Sequence, residues 1–386
     1  MRKLSVYVHI PFCVKKCRYC DFLSFRATEE KQRVYVEALL QEIRREAPKY
    51  INYIVDTVFI GGGTPSVLPE GMLEAIMECL SASFSFSQQM EVTVEVNPGT
   101  VDEKKLKQYR RAGINRLSIG TQSVQNEELA YLGRIHKAED FFATYEAARK
   151  AGFENINVDV MAALPGQSIE TYMDNLRQIV QLQPEHISAY SLIIEEGTCF
   201  YELYGEDAPE RQDIPPLPSE EEERKMYERT ELFLQQMGYH RYEISNYARP
   251  GRECLHNMAY WKRKDYVGFG IGAASMVKDV RWKNLSDVDE YLRRMAEGEE
   301  LREEVCTLSE AEQMEEFMFL GLRLTEGVSK EEFTHTFGKS MDGVYGKVLE
   351  KLAGQGLIEI EKRIRLTSYG RDISNYVMAE FLFDKV

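Results

Sequence analysis

Seven cysteines occur in the chain, and three of them, Cys13, Cys17 and Cys20, fall within the eight residues CVKKCRYC, while Cys79, Cys199, Cys254 and Cys306 are scattered. An odd count gathered in this way argues for metal binding in a reducing setting rather than for a disulfide framework. The CxxxCxxC spacing differs from the paired CxxC knuckles of structural zinc, and no second pair or histidine lies near enough to complete four ligands. Three thiolates from one loop suit three corners of a cubic iron–sulfur cluster, whose fourth iron then lacks a protein ligand and is open to a substrate or cofactor. A zinc loop that borrows a distant Cys or His is the competing reading.

Other residues able to do chemistry stand at the ends of apolar runs. Gly61, Gly62, Gly63, Thr64 and Pro65 form a turn whose missing Cβ atoms let backbone groups approach a ligand closely. No GK[ST] follows, so the turn is not a P-loop. Glu95 in EVNP closes the next run, where an isolated glutamate is more often a solvated charge or a helix cap. The GFGIGAAS stretch, Gly268 to Ser275, is a weak dinucleotide-like match without a clear βαβ unit around it, and reads as a close-packed loop.

These residues need strands and helices to hold them. Short β-branched runs predict strands near Leu4–Ile10, Thr57–Ile60, Glu91–Val96, Arg116–Ile119, Asn155–Val160 and His186–Leu192. Amphipathic stretches between them predict helices over Glu37–Glu46, Leu73–Leu80, Glu103–Ala112, Ala138–Ala151 and Thr171–Leu182. Six βα units in series mean an α/β protein with a parallel sheet, open or curled into a partial barrel, and a ligand site at the strands' carboxyl ends. Gly205–Pro218 is a proline-rich acidic connector, and Ser219 with Glu222 forms a capping box for a helix running to about Met237. Arg241–Met276 is too irregular to assign. From Leu308, three helices and a hairpin of Leu357–Ile360 with Arg363–Leu366 suggest a winged-helix-like α+β unit. The expected divisions are 1–204, 205–300 and 301–386.

The 386 residues suggest two or three domains at roughly 100–200 residues each. No apolar run approaches the roughly 20 residues of a membrane span, and the amino terminus reads as a strand rather than a signal peptide, which predicts a cytoplasmic protein. Lys and Arg total 48 against 63 Asp and Glu, a formal charge of −15 that argues against nucleic acid as a partner. Residues 301–386 hold 11 Lys/Arg against 16 Asp/Glu, so the winged-helix-like unit also has the wrong sign for DNA phosphates.

YVHIPFCVKKCRYCDF resembles the cluster loop of radical S-adenosylmethionine (SAM) enzymes, in the branch holding the oxygen-independent coproporphyrinogen III dehydrogenases and the HemW-type haem chaperones. The resemblance spans nearly the whole chain. It implies a partial (β/α)6 radical-SAM barrel, a [4Fe–4S] cluster on Cys13, Cys17 and Cys20, and SAM chelating the open iron, where the reduced cluster can cleave it to a 5′-deoxyadenosyl radical. It further implies SAM contacts from Gly62, Gly63 and Thr64, from Glu95, from Gln122 in IGTQS, Arg134 in LGRIH and Asp159 in NVDVM. Tyr7 and Tyr19 match aromatic positions lining the cluster and SAM.

Two departures separate this chain from the dehydrogenases: Phe22 stands where they carry a further cysteine, and the first strand begins by about Leu4, without their preceding segment. The HNMAYW sequence, His256 to Trp261, resembles a hallmark of the chaperones, with His256 a candidate axial ligand for haem iron and Tyr260 and Trp261 able to flank a porphyrin. An aromatic cluster beside a histidine is more commonly packing, five other histidines exist, and Cys254 is a rival ligand. The resemblance thus implies a haem chaperone that takes haem as cargo and passes it to haem-requiring acceptor proteins. A membrane-associated acceptor and a homodimer are left open. The rival readings are a coproporphyrinogen III dehydrogenase and a radical-SAM methyltransferase, for which no second cofactor motif is found.

Overall fold

Each β-branched run of the first half forms a strand, and the amphipathic stretch after it packs back on the sheet as a helix. A computed structural model describes residues 1–209 and 211–383. Glu210, in the expected connector, and the last three residues of the expected carboxyl-terminal unit lie outside the described residues. In chain order the first elements are β1 (Arg2–Ile10), α1 (Glu29–Glu46), β2 (Tyr53–Gly62), α2 (Met72–Ser83), β3 (Phe86–Val96), α3 (Glu103–Arg111), β4 (Arg116–Gln122), α4 (Asn126–Tyr131), α5 (Ala138–Lys150), β5 (Ile156–Ala162), α6 (Ile169–Gln181) and β6 (His186–Ser191). β1 to β6 lie side by side in chain order and all pair parallel, the expected order of a (β/α)6 unit. β4 is buried at every position, as a parallel strand covered on both faces must be. Helix α1 starts eight residues before the predicted Glu37, because Thr28 accepts from the Lys31 amide and Glu29 and Glu30 suit the first turn.

The chain continues through α7 (Cys199–Tyr204), α8 (Glu220–Gln236), β7 (His240–Arg241), β8 (Asn246–Ala248), α9 (Leu255–Trp261), β9 (Tyr266–Phe269), β10 (Ala274–Val277), β11 (Val280–Asn284), α10 (Val288–Glu297) and β12 (Arg302–Thr307). The Ser219–Glu222 capping box forms as expected. The irregular stretch Arg241–Met276 and the residues on either side of it supply short strands to both sides of the sheet: β8 runs antiparallel to β6 with β7 antiparallel beyond it, β9 lies parallel to β1, and β10 to β12 follow antiparallel. One hydrophobic core runs from Leu4 to Leu301. The Gly268–Ser275 stretch, expected as a close-packed loop, is close-packed but is the tight turn between β9 and β10 with its ends in those strands. At Gly270, where φ is +90°, a Cβ would fall 2.4 Å from the Tyr35 hydroxyl.

The carboxyl-terminal unit comprises α11 (Glu310–Gly321), β13 (Val328–Ser329), α12 (Lys330–Phe337), α13 (Met341–Gly354), β14 (Ile358–Ile360), β15 (Arg363–Leu366), α14 (Ser368–Asp372) and α15 (Ser374–Ala379). The predicted three helices and hairpin are present, and β13 adds a third strand beside β15. This unit has its own core and docks in part through Glu316, which accepts from Arg263 at 3.0 Å and Arg281 at 2.7 Å. Among the described residues, no helix is long and apolar enough to cross a membrane.

Candidate functional site

The cysteine loop leaves the carboxyl end of β1 and returns beside it. Its neck is closed by the amides of Cys13 and Phe25, which donate to the carbonyls of Phe25 and Pro11 at 3.0 and 2.8 Å. His9 braces the loop from below: its Nε2 must donate to the Leu23 carbonyl at 2.8 Å, so Nδ1 accepts from the Tyr7 hydroxyl at 2.9 Å. Burial holds His9 neutral by lowering its pKa. All three cysteines are half-buried and free of disulfides, and burial raises the Cys20 thiol pKa.

The glycines after β2 are packed against this loop. A Cβ on Gly62, whose φ is +111°, would fall 2.4 Å from the His9 ring, and one on Gly63 would fall 2.7 Å from the Phe12 carbonyl oxygen. Thr64 is thereby brought 3.4 Å from the Cys13 sulfur, and its hydroxyl accepts from Asn97 at 2.8 Å. Asn97 in turn accepts from Arg134 at 2.9 Å, and Arg134 also donates to the Cys17 sulfur at 3.6 Å and to the Gly120 carbonyl. A chain of polar groups therefore links the cysteine loop to the ends of β2, β3 and β4.

Those groups enclose a cavity of about 370 Å³ lined by the three cysteines, Tyr19, Gly62, Gly63, Thr64, Glu95, Gln122, Arg134 and Asp159. Glu95 accepts from the Gly62 amide at 2.9 Å, and its recess from bulk water pushes its pKa up to about 7, with the charge of Asp159 adding to the rise. Asp159 accepts from Asn157 at 2.7 Å, and burial raises its pKa too. Gln122 has φ +69° at a register shift in β4, an uncommon conformation for a non-glycine residue, and its amide oxygen accepts from Tyr190 at 2.9 Å. Tyr19 faces the cavity from beside Leu132, Met161, Leu164 and Phe200. Tyr7, expected to line the site, is not on the cavity wall, and its hydroxyl bonds to His9 beneath the cysteine loop. Asn97 and Tyr190 line the cavity as well, although no motif in the sequence points to them. Asn97 lies only two residues past Glu95, and Tyr190 is on β6, a predicted strand that carries no motif.

His256 is not brought to this cavity. It is 1% exposed on α9, its Nδ1 bonds to Thr57 at 2.8 Å, its Nε2 bonds to Tyr260 at 2.8 Å, and its amide donates to Glu91 at 3.1 Å. Thr57 precedes Gly62 by five positions on β2, on the order of 16 Å below the strand's carboxyl end. Burial first, and the nearby Arg116 second, push the His256 pKa down to about 3. Cys254 is buried beside it and points to Glu91 at 3.7 Å. Trp261 packs under the Arg323 guanidinium, 4.3 Å from its ring centre.

The donor set fits a cluster with an open iron. Three half-buried thiols from one loop line the cavity together with the carboxylates of Glu95 and Asp159 and the amide of Gln122, and the Arg134 guanidinium stands beside the Cys17 sulfur. Among the described residues, no group of three or more His, Cys, Asp or Glu side chains is set closely enough to hold a single metal ion. Residues 7–179 match the Radical SAM superfamily, and residues 308–373 match the HemN C-terminal domain. The chain is 40% identical to "Heme chaperone HemW" of Bacillus subtilis (strain 168), over 98% of this chain and 99% of that protein. It is 34% identical to the protein of the same name from Escherichia coli (strain K12), over 98% of each. The solved structure of coproporphyrinogen III oxidase (HemN) from Escherichia coli, described as a radical SAM enzyme, matches with a TM-score of 0.86 and 25% identity over 99% of this chain and 91% of that one.

Proposed function

The chain belongs to the HemW-type haem chaperones of the radical SAM superfamily, and from that membership we propose that it carries a [4Fe–4S] cluster on Cys13, Cys17 and Cys20, binds SAM beside it, and holds haem for delivery to haem-requiring proteins in the cytoplasm. One arrangement supports the cofactor half of this reading: three thiols from one loop lining a cavity together with strand-end polar groups. A cluster there would supply an open iron for the amino and carboxylate groups of SAM and a source of one electron. Arg134 sets a positive charge against Cys17, which offsets thiolate and sulfide charge. Glu95 and Asp159 are the acceptors for the amino group or ribose hydroxyls. Gln122, its oxygen already held by Tyr190, keeps its amide nitrogen to donate.

An axial role for His256 would require the ring to give up Thr57 or Tyr260 and α9 to lift from the sheet.

The test is anaerobic reconstitution of the full chain, followed by iron and sulfide analysis, SAM calorimetry and haem titration on one sample. Expected are one oxygen-sensitive cluster that is lost when any of the three cysteines becomes serine, a Soret band near one haem per chain, and movement of that band to an apo-acceptor. Stoichiometric zinc would overturn the cofactor assignment. Conversion of coproporphyrinogen III under reducing, SAM-supplied conditions, at the rate of a genuine oxidase, would move the protein to the enzymes.

A further inference from the structure

Resting on the haem-carrier reading, we infer that the haem macrocycle lies across the mouth of the cavity, against the exposed side chains of Phe22 and Ile193 and with its carboxylates toward Lys15. Volume is the first argument. A cavity of about 370 Å³ is near the lower end of the roughly 300–1,000 Å³ that single small-molecule sites occupy. A cluster and SAM fill such a space, so a broader third ligand has to sit outside it.

The lip has the surface that such a ligand needs. Phe22 and Ile193 are 62% and 67% exposed, and both border the cavity. They come from the loops after β1 and β6, the first and last strands of the six βα units, and both loops border the one opening. Large apolar side chains left in water at the edge of a cleft mark a binding surface, whereas scattered ones need no explanation. Leu192, half-buried next to Ile193, extends the apolar side inward.

Charge gives the orientation. Lys15 borders the opening, is exposed, and has no hydrogen-bond or ion-pair partner among the described residues, while Lys16 beside it donates to the Phe22 carbonyl at 3.0 Å. Asp21 and Glu195 share the lip and repel carboxylates from their own stretches of it. A flat apolar ring with two carboxylates on one edge matches this pattern, and a seat open to solvent lets the ring pass to an acceptor without unfolding the donor. The buried, doubly bonded His256 offers no such surface.

The experiment titrates three probes into the reconstituted full chain: haemin, metal-free protoporphyrin IX and haemin with both propionates esterified. The lip seat predicts protoporphyrin IX affinity within about threefold of haemin and esterified haemin at least about tenfold weaker. The double variant Phe22→Asp, Ile193→Asp should bind haemin at least about tenfold more weakly with iron, sulfide and SAM affinity unchanged, and His256→Ala should stay within about twofold of wild type. Haemin affinity kept by the lip variant, or lost in His256→Ala together with no binding of the metal-free ring, overturns the seat and leaves the carrier reading standing. A wild type that binds no haem overturns both.

Discussion

Arg134 joins three groups that no single helix or strand could bring together: the Cys17 sulfur, the Asn97 side chain and the Gly120 carbonyl. Lysine at this position keeps the charge but cannot span the fork of partners. Arg134→Lys should weaken SAM binding about tenfold, by loss of a charged hydrogen bond of about 1.5–3 kcal/mol, as calorimetry on reconstituted protein would measure. Glu95 gives a pH signature. Its pKa of about 7 means that the carboxylate forms as pH rises through neutrality. If it accepts hydrogen bonds from SAM, affinity should rise between about pH 6 and pH 8, and Glu95→Gln should flatten that slope. A slope that survives in the variant would assign the titration to another group.

Among the elements, α1 is tied to the β9–β10 turn and to α10 by one buried carboxylate. Glu42, 2% exposed, accepts from the Gly270 amide at 2.8 Å, Asn284 at 2.6 Å and the Tyr291 hydroxyl at 2.7 Å. Burial pushes its pKa up to about 7 against the pull of those hydrogen bonds. Below about pH 4 both folded and unfolded chains hold the proton, and between there and neutrality only the folded chain does. The stability this group contributes is therefore lost as pH rises through about 7. Glu42→Gln should gain on the wild type between about pH 5 and pH 8 in urea denaturation, although the amide cannot accept all three bonds. An unchanged difference between the two proteins at both pH values would remove Glu42 as the source.

For the molecule as a whole, a buried carboxylate at the joint between the sheet and the carboxyl-terminal unit is Glu316, whose side chain is 6% exposed and holds both Arg263 and Arg281, beside the more exposed pairs Lys262–Glu326 and Arg371–Glu231 and the stacking of Arg323 on Trp261. Without Glu316 the buried Arg263 keeps only Asp279 and the 39% exposed Arg281 turns to water, so the cost lies below the value of about 3–5 kcal/mol for a fully buried pair that loses one partner. Glu316→Ala should lower the denaturation midpoint or split the transition in two, with the smaller core of Met314 to Phe381 released first. Arg263→Met together with Glu316→Met should restore part of the loss, because the buried Arg263 charge goes with its partner and the two charges left over, Arg281 and Asp279, are 39% and 43% exposed and reach water. A single transition at the wild-type midpoint for Glu316→Ala would show that the joint depends on its apolar contacts instead.

The parallel strands were readable from β-branched runs alone because each is buried on both faces and needs no partner information to look apolar. The grouping of the three cysteines was likewise legible, since eight residues in one loop can bring three thiols to one cavity without help from the rest of the chain. His256 shows the limit. HNMAYW offers a ligand-competent histidine, but Thr57 on β2 and Tyr260 one turn along the same helix occupy its two ring nitrogens, while Glu91 on β3 takes its backbone amide and holds the helix start against the sheet. The strands β7 to β12 were hidden for a related reason. Their few residues carry too little periodicity to register, and the sheet supplies the hydrogen bonds that make them strands. Phe22 and Ile193, separated by most of the barrel in sequence, become neighbours of one opening only when the sheet sets the loops after β1 and β6 at its edge.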